Sequence, residues 1–364
     1  MDISGPMIAV IGVSATVGIA ASVFGVRKLI QMGQYSYHNA RLSTIGNPYV
    51  AREELLPLVD IKEPSALHKS IQGDLSPGEE PVSFREADRR LMHSFHASLD
   101  SLKKGSPDQI RPLVNSYIHI WEVEELKRLL RLVGRRKEPL YPVGFLDEDL
   151  ESQFLSSRDL PQAMEVLEGW KVGDAISPLT KDEEMGLDEI DSVLDRYVLD
   201  ELVDVSDLSM GSRRGAKHFA DIMIDRYNLH YIARSKVLGR TRDETRAALY
   251  TRGGTIGVPL LDQMVESATL REALSVLNGT HLEPFLKRDP DKGIDALEVN
   301  LDRMILNGSI GLSNSYVSNV GPTIRFMVSK EMEMKNLRTL YQGTFSGWSP
   351  ERTRELLVME ELMT

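Results

Sequence analysis

Hydrophobic positions in this chain recur at three- and four-residue intervals, and strand-like alternation is nearly absent. Leu91, Phe95, Leu99 and Leu102 fall on one face of a single predicted helix. The same period runs through three stretches that each stop at a glycine: REELLPLVDIKEPSALHKSIQG at Gly73, DEDLESQFLSSRDLPQAMEVLEG at Gly169 and PLLDQMVESATLREALSVLNG at Gly279. Counted back from those glycines, the second position is Ile71, Leu167 or Leu277 and the sixth is Leu67, Ala163 or Ala273. The ninth is Pro64, Leu160 or Leu270, and the fourteenth is Val59, Leu155 or Val265. These offsets describe an amphipathic helix preceded by a shorter one set off by a turn.

A second pattern precedes each of these stretches and closes the chain. HNARLSTIG, EVEELKRLLRLVG, DRYNLHYIARSKVLG and EMKNLRTLYQGTFSG are helical, end in glycine and carry Asn39, Glu125, Asn228 and Asn336 in one slot. The three glycines lie 96 and 110 residues apart. A repeat of about a hundred residues predicts an all-α protein of three similar helical modules, 34–110, 111–215 and 216–364. The last copy is cut short after Gly347 and closed by a helix that Ser349 caps, with Pro350 in its first turn.

Residues 1–33 stand apart from that repeat. From Pro6 to Val26 no residue is charged, a run of 21, and Arg27 and Lys28 follow at once. Such a run is long enough to cross a hydrocarbon core, which takes about 20 residues. A secretory signal would place its positive charges before the apolar run, and here only Asp2 precedes it. The expectation is an N-terminal hydrophobic helix, spanning or inserted, that includes Met7, Gly12, Ser14, Gly18, Ser22 and Gly25; the alternative is a weakly hydrophobic segment that packs in a soluble core or frays. Arg27 and Lys28 form its cytoplasmic flank, so the body of the chain lies at the cytoplasmic face of the cell membrane. Ser14, Gly18 and Ser22 fall four apart, a spacing that lets helices approach closely in lipid.

Composition narrows the function. The chain has 364 residues, 41% of them hydrophobic and 6% aromatic, and no cysteine, which removes disulfides, thiolate chemistry and Cys-type zinc sites. A net charge of −11 argues against nucleic-acid binding, which draws on Lys and Arg to release phosphate counterions. The acid is concentrated: residues 145–207 hold 19 Asp and Glu against 4 Lys and Arg. The segment from Arg213 to Arg246 is a basic counterpart, and such blocks either pair with each other or with partners, or form a solvated face.

Catalytic signatures are missing. The run RGGTIGVP at 252–259 lacks the GKS or GKT ending of a phosphate loop and the strand before a dinucleotide fingerprint, and is expected to be a turn or helix break. His93 and His96 come without an HExxH pattern, and no G-x-S-x-G elbow is present. Neither a catalytic residue, a metal, a cofactor nor a small-molecule substrate is expected.

The triplicated arrangement, the Asn-Leu helix starts and the block from GGTIG to ALSVLNGT resemble the C subunit of the A-type ATP synthases, the counterpart of the d subunit in vacuolar ATPases. DRYNLHYIARSKVLG, LYTRGGTIGVPLLDQMVESATLREALSVLNGT and PTIRFMVSKEMEMKNLRTLY carry the resemblance, which covers about Tyr35 to the C-terminus. It implies a funnel-shaped, non-catalytic rotor connector that receives the central-stalk subunits and sits on the membrane proteolipid ring, coupling the two for proton or sodium transport. Residues 1–33 are extra by that pattern. The competing expectation is a membrane-tethered helical scaffold unrelated to the ATPase.

Overall fold

The computed structural model describes residues 33, 35–73, 75, 76, 78–135, 145, 146, 148–167, 170–176, 186–208, 212–286 and 293–360, which are helical with no strand among them. Met7, Gly12, Ser14, Gly18, Ser22, Gly25, Arg27, Lys28 and Gly169 lie outside the described residues.

In chain order the helices are α1 (35–45), a 3₁₀ turn at Pro48–Val50, α2 (Arg52–Val59), α3 (Pro64–Ser70), α4 (Phe84–Gly105), α5 (Arg111–Arg135) and α6 (Glu148–Ser156). After them come α7 (Leu160–Val166), α8 (Lys171–Ile176), α9 (Leu187–Leu208), α10 (Arg213–Leu238), α11 (Arg242–Ala248) and α12 (Val258–Glu266). The last are α13 (Leu270–Ser275), α14 (Glu283–Leu286), α15 (Ile294–Ser315), α16 (Gly321–Ser346) and α17 (Pro350–Glu355).

Local chemistry sets these boundaries. Ser83 caps α4 by accepting from the Glu86 amide, and the Glu86 carboxylate accepts in return from the Val82 amide at 2.9 Å. Thr241 and Glu244 make a full capping box on α11, and Asp159, Thr269 and Ser349 cap α7, α13 and α17. At the other ends, Gly239 and Gly347 stop α10 and α16 in the left-handed conformation. The stripe Leu91, Phe95, Leu99 on α4 is fully buried, worth about 1.5–3 kcal/mol per side chain in burial alone.

Six long helices form a ring in chain order. α4 packs on α5, α5 on α9, α9 on α10, α10 on α15 and α15 on α16, and α16 returns to α4. The shorter helices flank it: α7 lies on α5, and α12 and α13 lie on α10. The 3₁₀ turn and α3, from the early part of the chain, lie on α16, from its late part. Asn336 Nδ2 of α16 donates to the Tyr49 carbonyl at 2.7 Å, and the Glu360 amide donates to the Val50 carbonyl at 2.9 Å. The two ends of the described chain therefore make one seam.

α1 crosses one end of this ring. Its inner face presents Tyr35, His38 and Leu42, all buried. Tyr35 donates to Gln109 at 3.2 Å, between α4 and α5, and shares a hydrogen bond of 3.1 Å with Ser212, just before α10. His38 bonds the Gly105 carbonyl at 3.1 Å and Thr323 at 3.0 Å, and Asn39 donates to the Val317 carbonyl at 2.9 Å. All three connections between paired long helices thus meet under one short helix.

Candidate functional site

The ring encloses a cavity of about 1060 Å³. Its wall comes from all six long helices, for example Asp88, Lys127, Asp195, Arg226, Glu298 and Lys335. The lining residues concentrate away from α1, from Tyr117 to Arg131 on α5, from Asp188 to Leu199 on α9 and from Asp295 to Asp302 on α15, and on α10 and α16 they begin near the middle of the helix. The half beneath α1 is filled by Leu99, Leu113, Val114, Phe219, Ile324, Met327 and Val328, each 0 or 1% exposed. At the rim Leu238 is 60% exposed and the Asp188 side chain 74%. The cavity is blind towards α1 and open at the opposite end.

Its floor is an ion quartet of two buried carboxylates and two partly buried cations. The Tyr117 hydroxyl on α5 donates to Glu331 on α16. Lys335, one turn on, bonds Glu331 at 2.8 Å and also Asp302 of α15 at 2.8 Å. Arg226 of α10 reaches Asp302 at 2.8 Å and lies 3.8 Å from Glu331. Two cations and two carboxylates balance, which is what burying them requires. Burial, with the charge on Glu331 beside it, holds the Tyr117 phenol well above its ordinary value, so it stays a donor.

The wall between α5 and α9 is likewise self-paired. Lys127 bridges Glu124 at 2.5 Å and Asp195 at 2.6 Å, and Arg131 bonds Asp191. With one ammonium between two carboxylates, burial still pushes Asp195 up to about 6, whereas Lys127 is held well above its usual range by both acids. Seven of the eight carboxylates of α9 find a cation or imidazole, including Asp188 with Arg240, Asp200 and Asp204 with Arg252, and Glu201 with His119. The acids of α9 are therefore neutralised across helix pairs, chiefly by α5 and Arg252; of the basic block, Arg213 and Arg240 pair with them. Nine Lys and Arg against ten Asp and Glu line the cavity, so it presents no dominant sign of charge.

The slot residues have unequal roles. Asn228 of α10 clamps Tyr250, accepting from its amide at 2.9 Å and donating to its carbonyl at 2.8 Å. Asn336 does the same to Val358, also 22 residues on, at 2.8 and 2.7 Å, and adds the Tyr49 carbonyl. An acid three positions earlier assists in both: Asp225 accepts from the Thr255 and Ile256 amides, and Glu333 from the Tyr49 amide. Asn39 instead holds the α15–α16 connection, and Glu125 pairs with Arg128 on its own helix. The acid–x–x–Asn spacing was readable in the sequence; the partner 22 residues on carried no separate signal. Gly73 and Gly279 follow α3 and α13 at φ of 95° and 81°.

The glycine-rich run 252–259 is a turn that leads into α12 at Val258, and two internal carboxylates occupy it. Gly254 donates to Asp221 at 3.0 Å while Thr255 and Ile256 donate to Asp225, so the amides that would hold a phosphate already hold an acid. Gly254 has φ of 88°, and a Cβ there would come within 2.7 Å of the Asp225 carboxylate. His96 packs on Phe145 and His93 faces solvent; no metal-holding group of His, Asp and Glu occurs among the described residues.

The described helices define an all-α ring around a self-neutralised, blind-ended cavity. The family model of the ATP synthase (C/AC39) subunit matches residues 39–356, and the chain belongs to that family. The A-type ATP synthase C subunit of Methanocaldococcus jannaschii is 22% identical over 358 residues, 92% of this chain and 89% of that protein. Those of Pyrococcus horikoshii, at 24% over 335 residues, and Methanothermobacter thermautotrophicus, at 24% over 358, cover 89% and 93% of this chain and 90% and 91% of their own length. The chain is thus a non-catalytic subunit of a rotary ATP synthase, its partners include other subunits of that complex, and it associates with the membrane complex. Among the described residues no helix is long and apolar enough to cross a membrane.

Proposed function

We propose that this chain is the central-rotor connector of an A/V-type ATP synthase, seating the tip of the rotating stalk in its cavity and resting by the α1 end on the membrane proteolipid ring. The observation that carries this is the cavity of about 1060 Å³ walled by all six long helices, filled towards α1 and with exposed residues at its opposite rim. A rigid ring that grips one partner inside and another beneath transmits rotation without chemistry. The chain organises as three modules, 34–110, 111–215 and 216–364, with α16 giving the first its missing long helix. Asn39, Asn228, Asn336, Gly73, Gly169 and Gly279 mark the repeat. Residues 6–26 enter the membrane or the ring lumen, with Arg27 and Lys28 at the cytoplasmic surface.

Pull-down of the tagged full chain from detergent-solubilised membranes, read by mass spectrometry, tests this. Stalk and proteolipid subunits are expected together. Recovery of the chain without them, or with catalytic subunits and no proteolipid, overturns the connector role in favour of a membrane-tethered scaffold.

A further inference from the structure

One kind of pair recurs three times inside the cavity. Two residues after the slot positions Glu125, Asn228 and Asn336 stand Lys127, His230 and Arg338, and all three line the wall. Each bonds an acid of the long helix packed beside its own. Lys127 bonds Asp195 of α9 at 2.6 Å, His230 bonds Glu298 of α15 at 2.9 Å, and Arg338 bonds Asp88 of α4 at 2.9 Å. The wall thus presents three similar faces, at α5–α9, α10–α15 and α16–α4. A socket with three similar faces accepts a partner in three orientations unless one face differs.

Six residues after the slot, the likeness breaks. Arg131 bonds Asp191 of α9 and Gln342 donates to Ser346, but the side chain of Arg234 has neither an ion pair nor a hydrogen bond among the described residues. It is exposed and lines the cavity about 33 Å of helix beyond Ser212, which lies under α1. Of the other cations in the lining, only Arg352 of α17 lacks a carboxylate among the described residues. Its guanidinium stacks 4.4 Å from the centre of the Trp348 ring, which holds the group in place and leaves its N–H edge free. Because α10, α15, α16 and α17 follow one another in the packing, both free cations stand on one side of the mouth, beside the exposed Leu238. Asp295, the lining carboxylate without a cation, sits in the first turn of α15, where the helix end itself accommodates it. On the opposite side, the lining ions of α4, α5 and α9 are all paired.

We infer that Arg234 and Arg352 are the orientation-determining residues of the socket: they pair with carboxylates on the tip of the rotating stalk and hold it in one of the three rotational positions. The inference rests on the proposed seating of the stalk in this cavity, and adds to it the charge of the tip and the side it faces. A guanidinium with no internal partner is free to meet a carboxylate edge to edge, and pairs at such a rim set orientation and association rate more than affinity.

The chain has no cysteine, so R234C and R352C each supply a single thiol in the full chain. A thiol-directed photo-crosslinker is attached in the assembled complex, and the joined peptides are read by mass spectrometry. Position 234 should capture one stretch of one stalk subunit and position 352 a neighbouring one, each with Asp or Glu within a turn of the joined residue. Capture from several sides of the tip, or of stretches without a carboxylate, overturns the proposal. In a second arm, tagged R234Q/R352Q and R234E/R352E chains are compared with wild type in pull-downs from detergent-solubilised membranes over a concentration series. Rim pairs are worth a factor of a few each, so the neutral variant should bind stalk subunits about tenfold more weakly and the reversed one about a hundredfold, with proteolipid recovery unchanged. Rising salt should narrow the gap between wild type and the neutral variant. Stalk binding undiminished in both variants overturns the proposal but leaves the connector role standing, whereas a wild type that recovers no stalk subunit overturns both. Should circular dichroism show a variant misfolded, the cross-links decide alone.

Discussion

The wall made by α5 and α9 and the wall made by α10 and α16 do the same work by different means. Between α5 and α9, charge meets charge: Lys127 with Glu124 and Asp195, Arg131 with Asp191, His119 with Glu201. On α10 and α16 a buried asparagine grips backbone, Asn228 at Tyr250 and Asn336 at Val358 and Tyr49. α5 carries Glu125 where the others carry asparagine, and that carboxylate turns to Arg128. An amide satisfies a buried donor and acceptor at once and does not titrate. Ion pairs at partly exposed positions are screened by salt and respond to pH. The asparagine clamps on α10 and α16 are therefore neutral fixtures, set beside the ion quartet of that side, whereas the pairing of α5 with α9 rests on charge and responds to solution conditions.

The largest break in that contrast is expected at the seam. Asn336→Ala strands the Val358 amide and the Val358 and Tyr49 carbonyls, three buried groups at roughly 1–3 kcal/mol each, for a loss of about 4 kcal/mol. Asn228→Ala strands two and should cost about 3 kcal/mol; urea titration followed by circular dichroism measures both, and a larger cost at Asn228 would reverse the ranking.

Close behind is Lys127→Met, which leaves Glu124 and Asp195 without their shared cation and should cost about 3 kcal/mol at neutral pH. That loss should shrink on acidification, because Asp195, pushed up to about 6 by burial, accepts a proton; neither asparagine variant should show this relief. A pH-independent loss would place Lys127 among the neutral fixtures.

The smallest effect concerns His119. Its hydrogen bond to Glu201, aided by the charge of Glu122, raises its value above the ordinary 6.5 against the pull of burial. A histidine raised on folding adds stability that is complete below about 6.5 and disappears as pH climbs through the raised native value. Comparing wild type with His119→Gln across that range should give a difference of under about 1 kcal/mol at the acidic end and none at the alkaline end. A difference that grows with pH would contradict the pairing.

Much of the helical plan was legible in the residues themselves. The stripe of Leu91, Phe95, Leu99 and Leu102 is buried as its period implies, Ser349 and Pro350 open α17, and the run 252–259 is a turn. Local periodicity and capping are properties of a few neighbouring residues, so sequence displays them. Long-range choices are not so displayed. Asn39 shares a slot with Asn228 and Asn336 by sequence, yet α1 lies across the helix connections and turns that amide to Val317. Nothing near residues 48–70 announces that their long helix is α16, and the cavity depends on which acid of α9 meets which cation of α5 or α10.

The seam also sets an order of events during synthesis. The 3₁₀ turn and α3 leave the ribosome early, but the helix they pack on begins at Gly321, some 250 residues later. At 5–20 residues per second that is roughly 12–50 s in which Leu67 and its neighbours have no permanent cover. Contacts so distant in sequence are also the slowest to form once the chain is free. The apolar run at residues 6–26 is made earlier still, so the proposed insertion of that run would precede closure of the ring. The last long helix made is then the one that completes the first part of the protein, and a nascent chain truncated before Gly321 would lack both its seam and the sixth wall of its cavity.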